Sequence, residues 1–346
     1  MSLNPRSEQL LKSLIERYIA DGTPVGSRTL AKQSELNVSP ATIRNIMADL
    51  EEMGLIKSPH TSAGRIPTHA GYRMFVDSLI KVRPVELAAE ERLRMQLGRD
   101  ADPGELVTRA SGMISQITHL AGVVMVPRLD DENRFKQIEF ISLSKKKLLV
   151  ILVTGSGRVL NRVIEVDRVF SPSELVESAN HFNDLYGGSS LQEVKNALLR
   201  EIQADSEVMQ KGLRLAAEVA EQMFRDDEND GVVVSGEANL MDMPEMGDVQ
   251  KLRKIFDMFN TKRDLLDLLD RSMKAGGVNI FIGKESGYEG LDDCSVVTAP
   301  YSVDDQIVGT IGVVGPTRMA YDRIIPVVDI TARLISNALS SGKHQI

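Results

Sequence analysis

Apolar residues recur at helical spacing through the first 84 residues, and short polar segments interrupt the pattern. It predicts a helix over 6–20, a short helix over 27–33 and a third helix over 39–53. The apolar stripe of the third helix consists of Ile43, Ile46, Met47, Leu50 and Met53. Ser39 suits the capping position of this helix, and Pro40 suits its first turn. A short helix, a turn and a capped helix form a helix-turn-helix arrangement.

The polar face of the third helix differs from an ordinary solvated surface, because its first two turns contain no carboxylate. The side chains expected on it are those of Ser39, Ala41, Thr42, Arg44 and Asn45. Short donors and one guanidinium suit a recognition helix, which uses its first turns to contact base edges and phosphates in the major groove. A capped surface helix without DNA contacts would show the same apolar stripe, so this helix alone leaves both interpretations open.

The segment that follows favours DNA binding. Gly54 suits the end of the helix, and residues 55–57 and 65–67 can pair as strands around a polar loop. Helix, strand, loop and strand form the order of a winged helix, whereas an ordinary polar hairpin is the alternative. Residues 58–73 contain no acidic side chain, so we expect the loop to contact the phosphate backbone or the minor groove. The residues assigned to this contact are His60, Thr61, Ser62, Gly64 and Arg65.

After residue 104 the pattern indicates an α+β body. The strands predicted for a GAF-like sheet are 122–126, 135–143, 278–282, 294–300 and 306–314, followed by a closing helix over 324–339. Between the early and late strands, a hairpin over 148–166, helices with capping boxes at Ser171 and Ser190, and a strand at 232–234 could form an insertion. The predicted domains are a winged-helix domain (1–84), a linker (85–104), a discontinuous GAF-like domain (105–144 and 236–346) and the insertion (145–235).

The distribution of charge adds to this picture. The net charge is −8, but residues 1–83 contain 11 Lys and Arg against 8 Asp and Glu, so this part carries +3 and the rest −11. A small basic head on an acidic body fits a DNA-binding protein. No apolar run reaches membrane-spanning length, no signal-peptide pattern opens the chain, and one cysteine excludes internal disulfides. We therefore expect a cytoplasmic protein that does not enter membranes.

Residue patterns typical of catalysis or cofactor binding are weak. Gly309, Gly312 and Gly315 do not have the spacing of a dinucleotide-binding loop, and glycines on a strand more often permit close packing. The five histidines show no metal-ligand spacing. Cys294 lies in an apolar run, which predicts a buried core residue. We therefore expect no enzymatic activity, no metal and no cofactor.

Several motifs resemble the family of the heat-inducible transcription repressor HrcA. They are VSPATIRN at 38–45, DLEEMGL at 49–55, PHTSAGRIPT at 59–68, GYR at 71–73, and GTIGVVGPTRM at 309–319 followed by Tyr321. The wing motif is highly specific to that family, and matches at both ends imply that the resemblance covers the whole chain. Two departures concern packing more than DNA contacts: Ile46 stands where the family has Glu, and Met53 replaces a usual Leu.

The resemblance implies a winged-helix domain, a GAF-like domain and an inserted dimerising domain. It also implies a homodimer that binds double-stranded DNA at the CIRCE inverted repeat upstream of the groE and dnaK operons, and a repressor that the GroEL chaperonin keeps active. The main alternative is a winged-helix repressor that senses a small molecule in its GAF-like pocket. An enzyme with an appended DNA-binding head is more remote, because no catalytic constellation supports it.

Overall fold

The computed structural model describes residues 3–33, 38–59, 64–85, 87–97, 103–127, 134–155, 159–166, 168–189, 193–194, 197 and 231–342. The helices are α1 (Pro5–Asp21), α2 (Ser27–Gln33), α3 (Pro40–Glu52), α4 (His69–Met74), α5 (Leu87–Gln96), α6 (Pro103–Thr118), α7 (Pro172–Tyr186), α8 (Val249–Thr261), α9 (Arg263–Ala275) and α10 (Tyr321–Gly342). The strands are β1 (Ile56–Lys57), β2 (Ile66–Pro67), β3 (Ala121–Met125), β4 (Phe135–Ser144), β5 (Lys147–Thr154), β6 (Val159–Glu165), β7 (Val232–Ser235), β8 (Asn279–Ile282), β9 (Cys294–Val303) and β10 (Gln306–Pro316). The chain divides into two compact units, a host unit (Met1–Val126 and Val232–Ile346) and an inserted unit (Pro127–Gly231).

The head of the host unit consists of α1–α4 and the two-stranded sheet β1–β2. Asn4 caps α1 by accepting a hydrogen bond from the Ser7 amide at 2.9 Å, and Gly22 ends the helix in the left-handed region with φ 68°. The fully buried apolar side chains of α1 and α3 are Leu10, Leu11, Leu14, Ile15, Ile43 and Leu50. This small core fixes the direction of α3, so that its polar face remains outside.

The core of the host unit is a five-stranded antiparallel sheet in the order β7-β3-β10-β9-β8. On one face, the hydroxyl of Ser295 lies 2.7 Å from that of Tyr321 of α10, and α6 packs beside α10. On the other face, α8 and α9 bury an apolar cluster against the strands. Gly312 allows β10 to approach β9, because a Cβ there would lie 2.6 Å from the carbonyl oxygen of Val297. The helix-covered antiparallel sheet confirms the α+β, GAF-like class.

The inserted unit contains the three-stranded antiparallel sheet β4-β5-β6, with α7 packed on one face. The rings of Phe135 and Phe182 meet edge to face at 5.1 Å between centroids. The side-chain oxygen of Asn183 accepts from the amide of Ile138 at 2.8 Å, which joins α7 to the edge strand β4. Ser171 and Glu174 form the predicted capping box at the start of α7.

Two strands lie in the opposite sheet from the one that the sequence predicts. The strand predicted at 135–143 for the GAF-like sheet is β4, which pairs with β5 in the inserted unit. The strand predicted at 232–234 for the insertion is β7, which pairs with β3 of the host unit. Only two residues connect β4 to β5, so these strands pair as a hairpin. After the insertion, β7 pairs with β3, the strand from which the chain left the host sheet. The observed units therefore divide at 127 and 231 rather than at 145 and 235.

Two further predictions are corrected in the head. The single helix predicted over 69–82 consists of α4 followed by a π-helical turn, Phe75–Leu79. Met53 is half exposed rather than part of the apolar stripe, because α3 ends at Glu52 and Met53 forms its C-cap. The capping box predicted at Ser190 and most of the helices predicted over 191–203 and 206–225 lie outside the described residues.

Candidate nucleic-acid interface

The first turn of α3 is held by local hydrogen bonds that its sequence encodes. The hydroxyl of Ser39 accepts from the amide of Thr42 at 3.2 Å and lies 3.0 Å from the Thr42 hydroxyl. Pro40 occupies the first turn, where its missing amide hydrogen costs no helical hydrogen bond. No acidic residue stands in this turn. The positive end of the helix dipole therefore faces solvent without a carboxylate to neutralise it, which favours a phosphate group.

The predicted major-groove residues lie on the accessible face of this helix. Ser39, Ala41, Arg44 and Asn45 are exposed, and Thr42 is half-buried. Within the described ranges, no carboxylate pairs with Arg44, so its guanidinium is available to an outside acceptor. Arginine and asparagine can each make two hydrogen bonds to one base edge, to guanine and adenine respectively. The helix therefore presents the donor set that direct reading of the major groove requires.

The wing is only partly described. Its two strands pair Ile56 with Pro67 and Lys57 with Ile66. The tip, residues 60–63, lies outside the described residues, and His60, Thr61 and Ser62 with it. Gly64 packs against the main chain before α2, because a Cβ there would lie 2.5 Å from the carbonyl oxygen of Val25. A glycine is thus needed at position 64 for packing within the head, whether or not DNA is bound.

Arg65 has a partner inside the protein that sequence reasoning missed. Its main-chain amide and carbonyl bond those of Val25, both at 2.9 Å. Its Nε and Nη2 donate to Oε2 of Glu51 at 2.9 and 2.8 Å. The other carboxylate oxygen of Glu51 accepts from the amide of Ser58 at 3.1 Å. One carboxylate on the last turn of α3 therefore binds both arms of the wing and fixes the wing relative to the recognition helix.

The head is attached to the core of the host unit through α4. The guanidinium of Arg73 donates to Oε1 of Glu285 at 3.0 Å and to Asp77 Oδ1 at 3.0 Å. These hydrogen bonds raise the pKa of Arg73 above its usual value. Burial opposes ionisation of Glu285, but the hydrogen bonds from Arg73 and from the Ile282 amide, together with the charge of Arg73, outweigh burial, so the pKa of Glu285 lies below its usual value. His69, the first residue of α4, lies against Gly283 of the core.

A second attachment joins α1 to the segment before α10. Arg318 Nη1 donates to the carbonyl oxygen of Ile19 at 2.7 Å, and its Nε donates to Glu245. A cation suits this position, because the carbonyl groups in the last turn of α1 carry partial negative charge. The rings of Tyr72 and Tyr321 meet nearby in a tilted arrangement at 6.0 Å between centroids, and burial raises the pKa of both phenols. Arg318 belongs to a motif noticed in the sequence, yet its spacing gave no sign of this role.

Groups suited to catalysis do not gather in the described part of the chain. Cys294 is buried, as its apolar surroundings predicted, and burial raises its thiol pKa to about 12, which keeps it protonated and unreactive. Among the described residues, no three His, Cys, Asp or Glu side chains come together as a metal would require. None of the described helices combines the length and the apolarity that crossing a bilayer requires.

Comparison with known proteins gives concordant matches along the chain. The family model for the winged helix-turn-helix DNA-binding domain of HrcA transcription repressors matches residues 2–79, and that for the HrcA C-terminal domain matches 104–325. The heat-inducible transcription repressor HrcA of Methylobacillus flagellatus is 49% identical over 341 residues, 98% of this chain and 99% of that protein. The HrcA repressor of Laribacter hongkongensis is 49% identical over 340 residues, 98% of this chain and 96% of that one. A crystal structure of a hypothetical protein has the same fold, with a TM-score of 0.60 at 23% identity over 98% of both chains.

Proposed function

This chain belongs to the HrcA family of heat-inducible transcription repressors, and we propose that it represses heat-shock operons by binding the CIRCE inverted repeat as a homodimer. The observation that carries the proposal is the exposed first turn of α3, where Ser39, Thr42, Arg44 and Asn45 stand together without a carboxylate. Arg44 and Asn45 contact base edges, and Ser39 with the first amides of α3 contacts phosphate. Because its target is the chromosome, the repressor works in the cytoplasm.

A two-fold symmetric dimer matches an inverted repeat, since each head contacts one half-site. A single winged helix also buries limited surface, so two heads are needed for useful affinity. The inserted unit supplies a surface suited to pairing: the face of its sheet opposite α7 carries an apolar patch among polar side chains. Ile141, Leu149 and Val163 stand side by side across β4, β5 and β6 on that face, and Ile141 and Val163 are 43% and 51% exposed. Covering such a face with a second copy would bury it from water.

The chaperonin GroEL is the proposed partner that keeps the repressor active. Control of this kind requires a native state of marginal stability, so that the amount of folded repressor follows the amount of free chaperonin. During heat shock, other misfolded proteins would occupy GroEL, the folded repressor would decline, and the operons would be released. This switch needs no small ligand, which separates it from control by a metabolite.

A footprint on an inverted repeat with GroEL titrated in tests target, symmetry and partner together. We expect protection of both half-sites and an active fraction that rises with GroEL. Scrambling one half-site should weaken binding strongly, because the dimer then loses half of its base contacts. Equal protection of a scrambled repeat would reject sequence-specific repression, and an active fraction that ignores GroEL would reject chaperonin control.

A further inference from the structure

A cavity of about 560 Å³ opens in the host unit where the chain leaves the head. It lies between the end of α6, the segment 242–245 and the first turns of α10. Its apolar lining includes Leu120, Met243, Met319, Ile324 and Val327. The volume falls within the range of roughly 300–1,000 Å³ that is typical of small-molecule sites, which combine apolar walls with a few polar groups.

The cations of the cavity differ in whether they already have a partner. Arg318 donates to Glu245, and Arg83 Nε lies 2.7 Å from Asp322 Oδ2. Arg323 is exposed at the cavity, and the described part of the chain offers it no carboxylate. One guanidinium is therefore free to bind an anion, while the other two hold structural contacts.

The polar lining restricts the charge of the anion. A planar guanidinium binds a carboxylate through two parallel hydrogen bonds. Asp242 and Glu245 also line the cavity, and their carboxylates repel added negative charge. A group with two charges, such as a phosphate monoester, is disfavoured more strongly than a single carboxylate, and the apolar wall requires an apolar body.

We propose that this cavity binds an amphipathic monocarboxylate, with the carboxylate on Arg323 and the apolar chain against Leu120, Met319 and Ile324. A medium-chain fatty acid has this chemistry. The site shares no residue with the DNA-binding face of α3 or with the apolar patch of the inserted unit.

Occupancy of the cavity is coupled to the head, because two attachments of the head form part of its lining. Arg318 reaches from the cavity to the carbonyl oxygen of Ile19 in α1. The amide of Arg83, in the segment that leaves the head, donates to the carbonyl oxygen of Asp322 at 3.0 Å. A ligand held on Arg323 fills the space beside Arg318 and Arg83, so it changes the packing around both contacts and how firmly the head is held. This coupling rests on the proposed DNA binding and is reciprocal: DNA also changes the affinity for the ligand.

Calorimetric titration of the full chain with decanoate tests the site. We expect saturable binding of decanoate, at least tenfold weaker binding of decanol, and about tenfold weaker binding of decanoate to Arg323→Gln, since a charge-assisted pair is lost. Arg333→Gln, an exposed arginine further along α10, is the matched control and should bind like the unaltered chain. Ala320→Phe, which fills the cavity, should abolish binding. The melting temperature without ligand verifies that each variant is folded.

DNA affinity measured with and without decanoate tests the coupling. We expect at least a threefold change in the unaltered chain and none in Arg323→Gln. Binding of decanol equal to that of decanoate, or equal effects of Arg323→Gln and Arg333→Gln, would overturn the site. Decanoate binding with unchanged affinity for the inverted repeat would overturn the coupling. Loss of specific DNA binding in the absence of ligand would instead count against the repressor function itself, so the two failures are distinguishable.

Discussion

Glu51 and Arg65 form an ion pair that joins the last turn of α3 to the start of the second wing strand, with Arg65 Nη2 2.8 Å from Glu51 Oε2. Both side chains are about one-third exposed, 34% for Glu51 and 29% for Arg65. Glu51→Gln should lower the free energy of unfolding by about 1 kcal/mol, because a partly solvated charge-assisted contact is weakened. Denaturant unfolding measures the change, and Glu52→Gln on the same turn, which is exposed, is the control.

The same substitution tests the assignment of Arg65 to DNA. If Arg65 only positions the wing, Glu51→Gln and Arg65→Ala should weaken operator binding by similar factors, and the double variant should be no weaker than either. Direct contact of Arg65 with the minor groove predicts that Arg65→Ala weakens binding while Glu51→Gln, which frees the guanidinium, does not. Operator titrations of the three variants at one salt concentration distinguish the two roles.

Arg44→Ala should cost about 1–3 kcal/mol of binding to the inverted repeat if Arg44 makes a bidentate base contact. Binding to random DNA should change much less, since non-specific affinity depends mainly on phosphate contacts. Equal losses on the two DNAs would assign Arg44 to phosphate. Arg253→Ala, a well-exposed arginine of α8, removes the same charge far along the sequence and should leave both affinities unchanged.

Gly71→Ala and Gly112→Ala should have opposite effects on stability. A Cβ at Gly71 would lie 2.1 Å from the carbonyl oxygen of Leu55, so α4 could not remain against the residue that precedes β1, and a loss of roughly 1–3 kcal/mol is expected. No atom lies within 4 Å of a Cβ at Gly112 in α6, where alanine should add about 0.5–1 kcal/mol through its helix propensity. Denaturant midpoints of the two variants compare them directly.

Glu285→Gln should remove a pH-dependent part of the stability. The pKa of this carboxyl is lower in the folded protein than in the unfolded chain, so its contribution is present above the unfolded pKa and is lost as the pH falls through the folded pKa. The stability difference between the unaltered chain and Glu285→Gln should therefore be full at neutral pH and shrink in acid. A difference that stays constant from pH 7 to 3 would contradict the ion pair with Arg73.

The double variant Ile141→Arg and Val163→Arg should shift the protein from dimer to monomer if the apolar patch of the inserted unit forms the dimer contact. Two guanidinium groups on the paired faces would be buried without partners. Sedimentation velocity measures the mass. Val176→Arg alters an exposed apolar position of α7 in the same unit and should leave the dimer intact. A dimeric double variant would move the contact elsewhere.

Helix starts and the order of the elements could be predicted because their signals are local. Ser39, Thr68 and Ser171 each precede a helix, and each accepts a hydrogen bond from an amide three residues later. Turn residues likewise marked the late strands, which end within three residues of their predicted positions. For the same reason, the donor-rich first turn of α3 could be identified as a candidate site from the sequence alone.

Sheet membership and the partners of charged residues could not be predicted. The alternation of apolar and polar residues in β4 fits either sheet, because a strand buries one face in the same way in both. Only its pairing with β5 shows which sheet it joins. Nothing in the segment of Arg65 is acidic, and its carboxylate partner lies on the preceding helix, so no local pattern indicates this pair. Arg73 and Arg318 likewise bind groups far away in the sequence, so no local spacing indicates their roles.

Val124 of β3 pairs with Ile311 of β10, so the host sheet cannot be completed until β10 has been synthesised. A ribosome releases the head and β3 long before β10, and the whole inserted unit emerges between them. In the folded protein all five residues of β3 are buried, so a nascent chain carries this apolar strand without its central neighbour. Such long-range pairing is slow and leaves apolar surface open to aggregation. Newly synthesised repressor therefore has its DNA-binding head before its core is finished, and the length of this interval sets how soon repression returns.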